Sequence, residues 1–330
     1  MYPFFLTMWR SPKQRAAIRS VIDSVSSSTN RGRLSVWADM VFSGFVFGST
    51  AQEYENLRFY DRTRKNRATF ITSYYNLRNY NRLNHRPDRE IFRDKVRFNQ
   101  TFDAFLKREW MLIDRDQPEA FRAFAHKHGT VIIKPRFGDS GKDIVFFDSR
   151  EHSPPDIREY ADRYAGRLAE ELLTNHGALA ALNPTSLNTV RIITIVTRED
   201  VEFLYAGIRI GAPDARIDNI SMGGKVAAID PETGRIVSDF RSKTTSEIAF
   251  HADSCAGRQI PCWTQVIDFV KRAATVVSGV RYVAWDVAIT PDGPALIEGN
   301  HSSGNTITQA GIAVDSPGLR PKLEEILKKC

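Results

Sequence analysis

The segment Tyr282–Asn300, YVAWDVAITPDGPALIEGN, restricts this chain more than any other. Two apolar runs flank Pro291-Asp292-Gly293, residues suited to a tight reversal, so the segment reads as a β-hairpin. Asp286 lies inside the first run, and Glu298 and Asn300 close the second. Residues two apart on a strand share a face, so Glu298 and Asn300 point the same way, and the hairpin can bring Asp286 beside them. Carboxylates inside apolar strands are costly unless something positive neutralises them. Two carboxylates and an amide are hard oxygen donors, which suits a divalent cation such as Mg²⁺ shared with a nucleotide phosphate. The plainer alternative puts Asp286 on a wet face and makes Glu298-Gly299-Asn300 an ordinary loop entry.

The chain has 330 residues, enough for two or three lobes with ample core. Its 42% hydrophobic and 26% charged content is that of a soluble globular protein. The net charge of +7 is uneven: residues 1–100 hold 18 Lys/Arg against 8 Asp/Glu, and the rest 28 against 31. The basic third is rich in arginine, which suits an anionic substrate, a peripheral membrane contact or a partner. Cys255, Cys262 and Cys330 show no paired spacing, which points to a reducing compartment. The apolar start, MYPFFLTMWR, lacks the basic flank and length of a signal peptide, and the expectation is a cytoplasmic protein. Leu34–Phe47 is the most hydrophobic run, too short to span a bilayer and expected to form a buried helix.

Ile18, Val21, Ile22 and Val25 recur at helical spacing, predicting an amphipathic helix over Pro12–Val25. Between Gln52 and Tyr80, arginines and asparagines are interleaved with aromatics. Such a mixture can bind single-stranded nucleic acid, but no recognition motif accompanies it. Helices packing aromatic faces, with arginines solvated or turned to an acidic substrate, are expected instead, and nucleic acid is not an expected partner. Ile91–Trp110 and Asp156–His176 read as long helices, and Trp263–Ser278 and Pro317–Lys329 as further ones. Strands are expected at Val131–Lys134, Asp143–Phe147, Arg191–Thr197, Glu202–Gly211, Lys225–Ile229 and Arg235–Phe240. Helices first and mixed sheets later make an α+β chain. Three regions follow: a basic helical region 1–90, a small lobe 91–175 and a large lobe 176–330.

Between the strands at 131–134 and 143–147 lies Arg136-Phe-Gly-Asp-Ser-Gly-Lys142. It is not a Walker loop, which ends Gly-Lys-Ser/Thr before a helix. A glycine hairpin can still close over phosphates through its backbone N–H groups, although an ordinary turn would look the same. Lys134, at the end of an apolar strand, needs an anion, and phosphate oxygens would supply one.

Taken together, Asp94-Lys95, Lys134-Pro135 with its glycine loop, Glu170-Glu-Leu-Leu173, and Asp286 with Glu298-Gly-Asn300 resemble the ATP-grasp superfamily. Ser186-Leu-Asn-Thr-Val-Arg191, Arg209-Ile-Gly211, Asp218-Asn219, Gly223-Gly224 and Trp285–Thr290 resemble more closely its sugar-transfer-associated branch. The resemblance covers most of residues 90–310. It implies two α+β lobes gripping ATP between antiparallel sheets. Lys95 and Lys134 would contact phosphates, with Gly138, Ser140, Gly141 and Lys142 in a lid over them. Glu170, Glu171, Leu172 and Leu173 match the hinge that reads adenine and ribose. Asp286, Glu298 and Asn300 match the Mg²⁺ ligands, where Mn²⁺ would also fit. Arg209, Asn219 and Gly223-Gly224 resemble the Arg…Asn…Gly-Gly pattern of ribosomal-protein glutamate ligases. Many relatives carry a catalytic arginine two residues before the metal aspartate. Here that position is Ala284, which leaves Arg209, Arg191 or Arg281 for the role.

The resemblance implies an ADP-forming carboxylate–amine ligase working through an acylphosphate and joining an amino acid or amine to an acidic sugar or polysaccharide precursor. Two alternatives share the motifs. One is a kinase for a glycan or small-molecule hydroxyl, with His301 or Asp218 as base; the other is a non-catalytic nucleotide-binding scaffold. Individual residues keep plainer readings: Lys95 on a helix surface, Glu170 and Glu171 on a solvated helix face, Arg191 in a strand ion pair.

Overall fold

The computed structural model describes residues 12–138, 143–243, 248–251, 255–304, 306–309 and 312–330. Two antiparallel sheets organise the chain. The smaller contains β1 (Trp110–Leu112), β2 (Thr130–Lys134), β3 (Val145–Asp148) and β4 (Leu168–Glu171), in the order β1-β4-β2-β3. The larger contains β5 (Thr189–Val196), β6 (Val201–Ile210), β7 (Lys225–Ile229), β8 (Phe240–Lys243), β9 (Ile248–His251), β10 (Tyr282–Thr290) and β11 (Gly293–Asn300). Its order is β11-β10-β5-β6-β7-β8-β9. Mixed helices and antiparallel sheets make the fold α+β.

The larger sheet buries both faces differently. On one, Val190, Ile192, Ile208, Val283, Trp285 and Val287 pack against the helix Trp263–Ala274, whose Val266, Phe269, Val270 and Ala273 recur at helical spacing. Phe98, Phe102 and Leu106 join that core, so helices that precede the small sheet in sequence pack on the large one. On the other face, Ile193, Ile195, Tyr282 and Ala284 meet Leu323 and Ile326 of the terminal helix Arg320–Lys328 and Tyr80 of the helix Ser73–Leu83. Charged residues occupy the remainder of this second face.

Several expectations are corrected. Asp156–His176 is not one helix: the helix ends at Arg163, Gly166 turns the chain at φ +79°, and β4 follows. Glu170 and Glu171 therefore stand on a strand. Ile91–Trp110 breaks into the helices Arg89–Arg93, Lys95–Thr101 and Asp103–Leu106. Asp94 causes the first break, because its carboxylate caps the second helix by accepting from the Val96 N–H. The strand expected at Arg235–Phe240 lies at β8 instead; Ile236 makes a lone bridge to Ile229, and the left-handed Gly234 lies against Trp263.

The helix Pro12–Thr29 buries Ile18, Val21, Ile22 and Val25, as its spacing requires. The helix Arg33–Phe47 buries one face only, and Leu34 is 77% and Trp37 40% exposed. Among the described residues no helix is long and apolar enough to cross a membrane. Several arginines of the basic third serve the interior rather than a partner. Arg67 reaches Asp39 with two hydrogen bonds of 2.7 and 2.8 Å, and Arg62 donates to the carbonyls of Ile312, Ala313 and Val314. Backbone carbonyls absorb guanidinium donors that composition alone assigns to solvent or substrate.

Candidate active site

The hairpin of β10 and β11 pairs Asp286 directly with Glu298 and Ala284 with Asn300. A register shift after Asp286 leaves Ile297 unpaired, which aligns Glu298 and Asn300 on the face of Asp286. On the other side of β10, Asp286 is paired with Arg191, and Thr189 on β5 is paired with Arg209 on β6. Four strands thus place Asp286, Glu298, Asn300, Arg191 and Arg209 on one face.

These groups are bonded to one another. Arg191 grips Asp286 with two hydrogen bonds, Nε to Oδ1 at 2.7 Å and Nη2 to Oδ2 at 2.6 Å. Arg209 donates to Asp286 Oδ2 at 2.8 Å and to Asp218 Oδ1 at 3.1 Å. Thr189 donates its hydroxyl and its N–H to Asp218. Asn300 Nδ2 donates to Glu298 Oε1 at 3.0 Å. Burial would raise the Asp286 pKa, but Arg191 and Arg209 outweigh it and hold the carboxyl well below its ordinary value. Burial, followed by the charge of Asp286, pushes Glu298 up. Burial likewise raises Asp218, against the pull of Arg209.

Three acids thus face two arginines, and Glu298 is the acid whose charge they do not satisfy. The buried Asp286 and the half-buried Glu298, with an amide oxygen, offer a donor set suited to a hard divalent cation, which would supply the missing positive charge. Among the described residues no cluster of three or more Asp, Glu, His or Cys side chains is available for a metal. Asp286, Glu298 and Asn300 form a mixed oxygen-donor set that would suit such an ion.

The lysines and the expected hinge lie around the small sheet. Lys95 starts its helix and donates Nζ to the Gly138 carbonyl at 2.6 Å, while its N–H donates to the Arg136 carbonyl. Arg136 in turn holds Asp94 with hydrogen bonds of 2.9 and 2.6 Å. Lys95 and the start of the glycine loop are therefore one unit; Ser140, Gly141 and Lys142 lie outside the described residues.

Lys134 donates to Glu170 at 2.7 Å across the β2–β4 ladder. Glu170 also accepts from Arg108 Nε at 3.1 Å, Arg108 Nη2 at 3.2 Å and Asn99 at 2.9 Å. Burial pushes its pKa up, yet Arg108 and Lys134 outweigh that and hold the carboxyl far below its ordinary value. Both Glu170 oxygens are engaged by these donors, and the residue is 2% exposed. Glu171 is less buried and accepts from the Glu109 N–H. Leu172 and Leu173 follow β4 on the stretch leading to His176, whose N–H donates to the Ile289 carbonyl of the large sheet.

Arg108 and Asn99 are site components that sequence reading missed. Arg108 also donates to the carbonyls of Leu296 and Ile297 at the β11 bulge, joining the two sheets at the hairpin. No motif marks it; it is one arginine among many, distinguished only by burial. Arg281 is not a partner of Asp286: it lies just before β10 and donates to the Val196 carbonyl. Ala284 is buried beside Ile193 and leaves the usual arginine position empty, while Arg191 approaches Asp286 from the neighbouring strand. Asn219 belongs to the loop after Asp218, where its carbonyl accepts from Met222 and Gly224; a Cβ on Gly224 would collide with that carbonyl. Asn183 and Asn188 are buried scaffolding, bonded to Gly211, Leu179 and each other.

Three solved structures show how far the likeness extends. The ATP-grasp ligase PsnB complexed with a minimal precursor is 19% identical, with 75% of this chain and 63% of that chain covered and a TM-score of 0.44. An L-amino acid ligase from Bacillus licheniformis is 14% identical, with 74% and 49% covered and a TM-score of 0.44. D-alanyl-alanine synthetase A from Vibrio cholerae is 11% identical, with 72% and 61% covered and a TM-score of 0.43. The chain spans less than two thirds of the length of each. No curated protein matches it. Residues 74–328 match the family described as sugar-transfer associated ATP-grasp, and the chain belongs to that family.

Proposed function

We propose that the chain is an ATP-dependent, ADP-forming carboxylate–amine ligase. It would work through an acylphosphate and join an amino acid or other amine to an acidic sugar or polysaccharide precursor. The observation that carries this reading is the pairing of Asp286 with Glu298 on a sheet face shared with Arg191 and Arg209.

Asp286, Glu298 and Asn300 would hold Mg²⁺, with Mn²⁺ as a substitute, and the ion would neutralise charge on the ATP phosphates. Lys95 and Lys134 would add positive charge from the glycine-loop side, with Gly138, Ser140, Gly141 and Lys142 covering the triphosphate. Glu171, Leu172 and Leu173 would offer backbone groups to adenine, and Asn219 would border the phosphates. In the reaction a carboxylate oxygen of the substrate attacks the γ-phosphorus and ADP leaves. The amine then attacks the acyl carbon, loses a proton, and phosphate departs. Arg191 and Arg209 would stabilise the oxyanion that forms on that carbon. Asp218, the acid a hydroxyl-directed kinase would draw on as base, is bound to Thr189 and Arg209, which favours the ligase.

The test is an ADP-release screen over amino acids paired with uronic acids, with and without Mg²⁺. Release that needs both a carboxylate and an amine, and hydroxamate formation when hydroxylamine replaces the amine, supports the reading. AMP release, or a phosphorylated product that survives hydroxylamine, overturns it.

A further inference from the structure

The helix Arg33–Phe47 turns its carboxylate toward the protein and an apolar stripe toward water. Val36, Met40, Ser43 and Gly44 are buried, and Asp39 is held on that side by two hydrogen bonds from Arg67 and one of 2.8 Å from the Tyr54 hydroxyl. Arg67 also donates to the Ser43 hydroxyl at 2.9 Å. Leu34, Ala38, Val41 and Phe45, three or four residues apart, share the opposite face, with Trp37 and Phe42 on its flanks. Leu34, Trp37, Ala38, Phe45 and Val46 are exposed, while Val41 and Phe42 are half-buried. Single exposed apolar residues are ordinary, but a stripe running the length of a helix marks a surface that something covers.

Positive charge borders that stripe. Arg31 and Arg33, both exposed, immediately precede Leu34. Further along, the exposed Arg64 lies over the Phe42 ring, its guanidinium carbon 4.5 Å from the centroid, and the exposed Lys65 follows it in the chain. Residues 12–50 hold five Lys/Arg against two Asp/Glu. Both acids are already ion-paired, Asp23 with Arg33 and Asp39 with Arg67, so little negative charge is left to oppose an anionic surface. A basic side chain that rests on an aromatic ring while remaining open to water is suited to the boundary between an apolar layer and a charged one.

We propose that this face of the helix Arg33–Phe47 docks the chain on a bilayer that contains anionic phospholipid, with the helix lying in the plane of the headgroups. Leu34, Val41 and Phe45 enter the edge of the acyl layer, and Trp37 sits at headgroup level, where its amphipathic ring is favoured. Arg31, Arg33, Arg64 and Lys65 meet the lipid phosphates. The helix has 15 residues, too few to span the hydrocarbon layer, so the contact is peripheral. A second copy of the chain suits the face less well, because a two-fold contact would set these basic residues against their own copies. The inference is independent of the ligase reading, since no residue of the candidate active site takes part.

The test is co-sedimentation of the full chain with vesicles of phosphatidylcholine alone and of equal parts phosphatidylcholine and phosphatidylglycerol. The expected result is binding to the mixed vesicles about tenfold or more tighter than to phosphatidylcholine, weakening as salt is raised. Leu34→Glu with Trp37→Glu, and separately Arg64→Gln with Lys65→Gln, should each weaken it about tenfold or more. All four side chains are exposed, so both variants should melt close to wild type. Trp37→Phe keeps the apolar stripe and should still bind, but should remove most of the tryptophan quenching caused by lipids brominated on their acyl chains. Equal binding to the two vesicle types, binding unchanged in both double variants, or quenching unchanged in Trp37→Phe overturns the proposal. So does a chain that ignores both vesicles yet forms a dimer lost in Leu34→Glu, which would assign the face to a second copy.

Discussion

Arg191 and Asp286 face each other across the β5–β10 ladder and are joined by two parallel hydrogen bonds at 2.7 and 2.6 Å. A bidentate pair of this kind fixes both side chains, so the acid is held in place before any cation arrives. Arg191→Gln should lower stability by about 1.5–3 kcal/mol through loss of charge-assisted hydrogen bonds. It should cut ADP release by about a hundredfold or more if the guanidinium also stabilises the reacting carboxyl. Thermal melting and a coupled ADP assay read the two effects. A variant that melts lower yet turns over normally would confine Arg191 to the ion pair.

Asp286 and Glu298 are neighbours with opposite electrostatic settings, so their amide variants should behave differently. Burial and the charge of Asp286 push Glu298 toward its protonated form, which glutamine imitates. Glu298→Gln should therefore melt at or above the wild-type temperature while losing Mg²⁺-dependent ADP release. Asp286→Asn leaves Arg191 and Arg209 without their shared carboxylate, and should lose about 3–5 kcal/mol as a broken buried pair. Equal melting temperatures for the two variants would contradict the charge arrangement described here.

Glu170 allows a pH prediction. Its folded-state pKa lies below the ordinary 4.5, because Arg108 and Lys134 outweigh the penalty of burial. A depressed acid contributes stability that is present above its unfolded pKa and lost as pH falls through its folded value. The difference in unfolding free energy between wild type and Glu170→Gln should be constant near neutral pH and shrink below about pH 4.5. At neutral pH the variant leaves Arg108 and Lys134 buried without their anion and should cost about 3–5 kcal/mol. Urea denaturation of both proteins from pH 7 down to pH 3 measures this, and a difference independent of pH would refute the assignment.

The hairpin could be read from sequence because its signal is local. Two apolar runs, a Pro-Asp-Gly reversal and polar residues at the strand end all sit within one short segment. Lys95 beside Gly138, and Asp94 as a helix cap, were similarly within reach of motif reading. The Glu170 site was not, because Arg108 and Asn99 come from a different region, and neither has a local pattern that betrays burial. The mistaken helix over Asp156–His176 has a related cause: a four-residue strand buried in a sheet has too few positions to show its period against the preceding helix. The arginines of the first third mislead for another reason. Charge counts do not reveal that backbone carbonyls, such as those of Ile312, Ala313 and Val314, take up the donors of Arg62.

Those carbonyls belong to the segment that follows Asn300, and the N-terminal helices hold that segment at several points. Asn84 is buried and accepts from the Tyr282 N–H at 2.8 Å, while its Nδ2 donates to the carbonyls of Tyr282 and His301 at 2.8 and 3.0 Å. One side chain thus ties the start of β10 to the residue after Asn300. Asn76 and Tyr80 both donate to the Ser303 carbonyl, and Gln309 makes two hydrogen bonds with Ile71. If Asn300 depends on this bracing, Asn84→Ala should lower stability by about 1–3 kcal/mol, since it leaves buried backbone groups unsatisfied. It should also raise the Mg²⁺ concentration needed for half-maximal ADP release, with a smaller effect on ATP affinity. Asn84→Asp should restore the bond from the Tyr282 N–H but not the two donated by Nδ2, and so should fall between the alanine variant and wild type in melting temperature. Mg²⁺ titrations of ADP release at saturating ATP, beside thermal melts, separate bracing from simple destabilisation. An unchanged Mg²⁺ midpoint in a less stable Asn84→Ala would limit the N-terminal helices to supporting the fold.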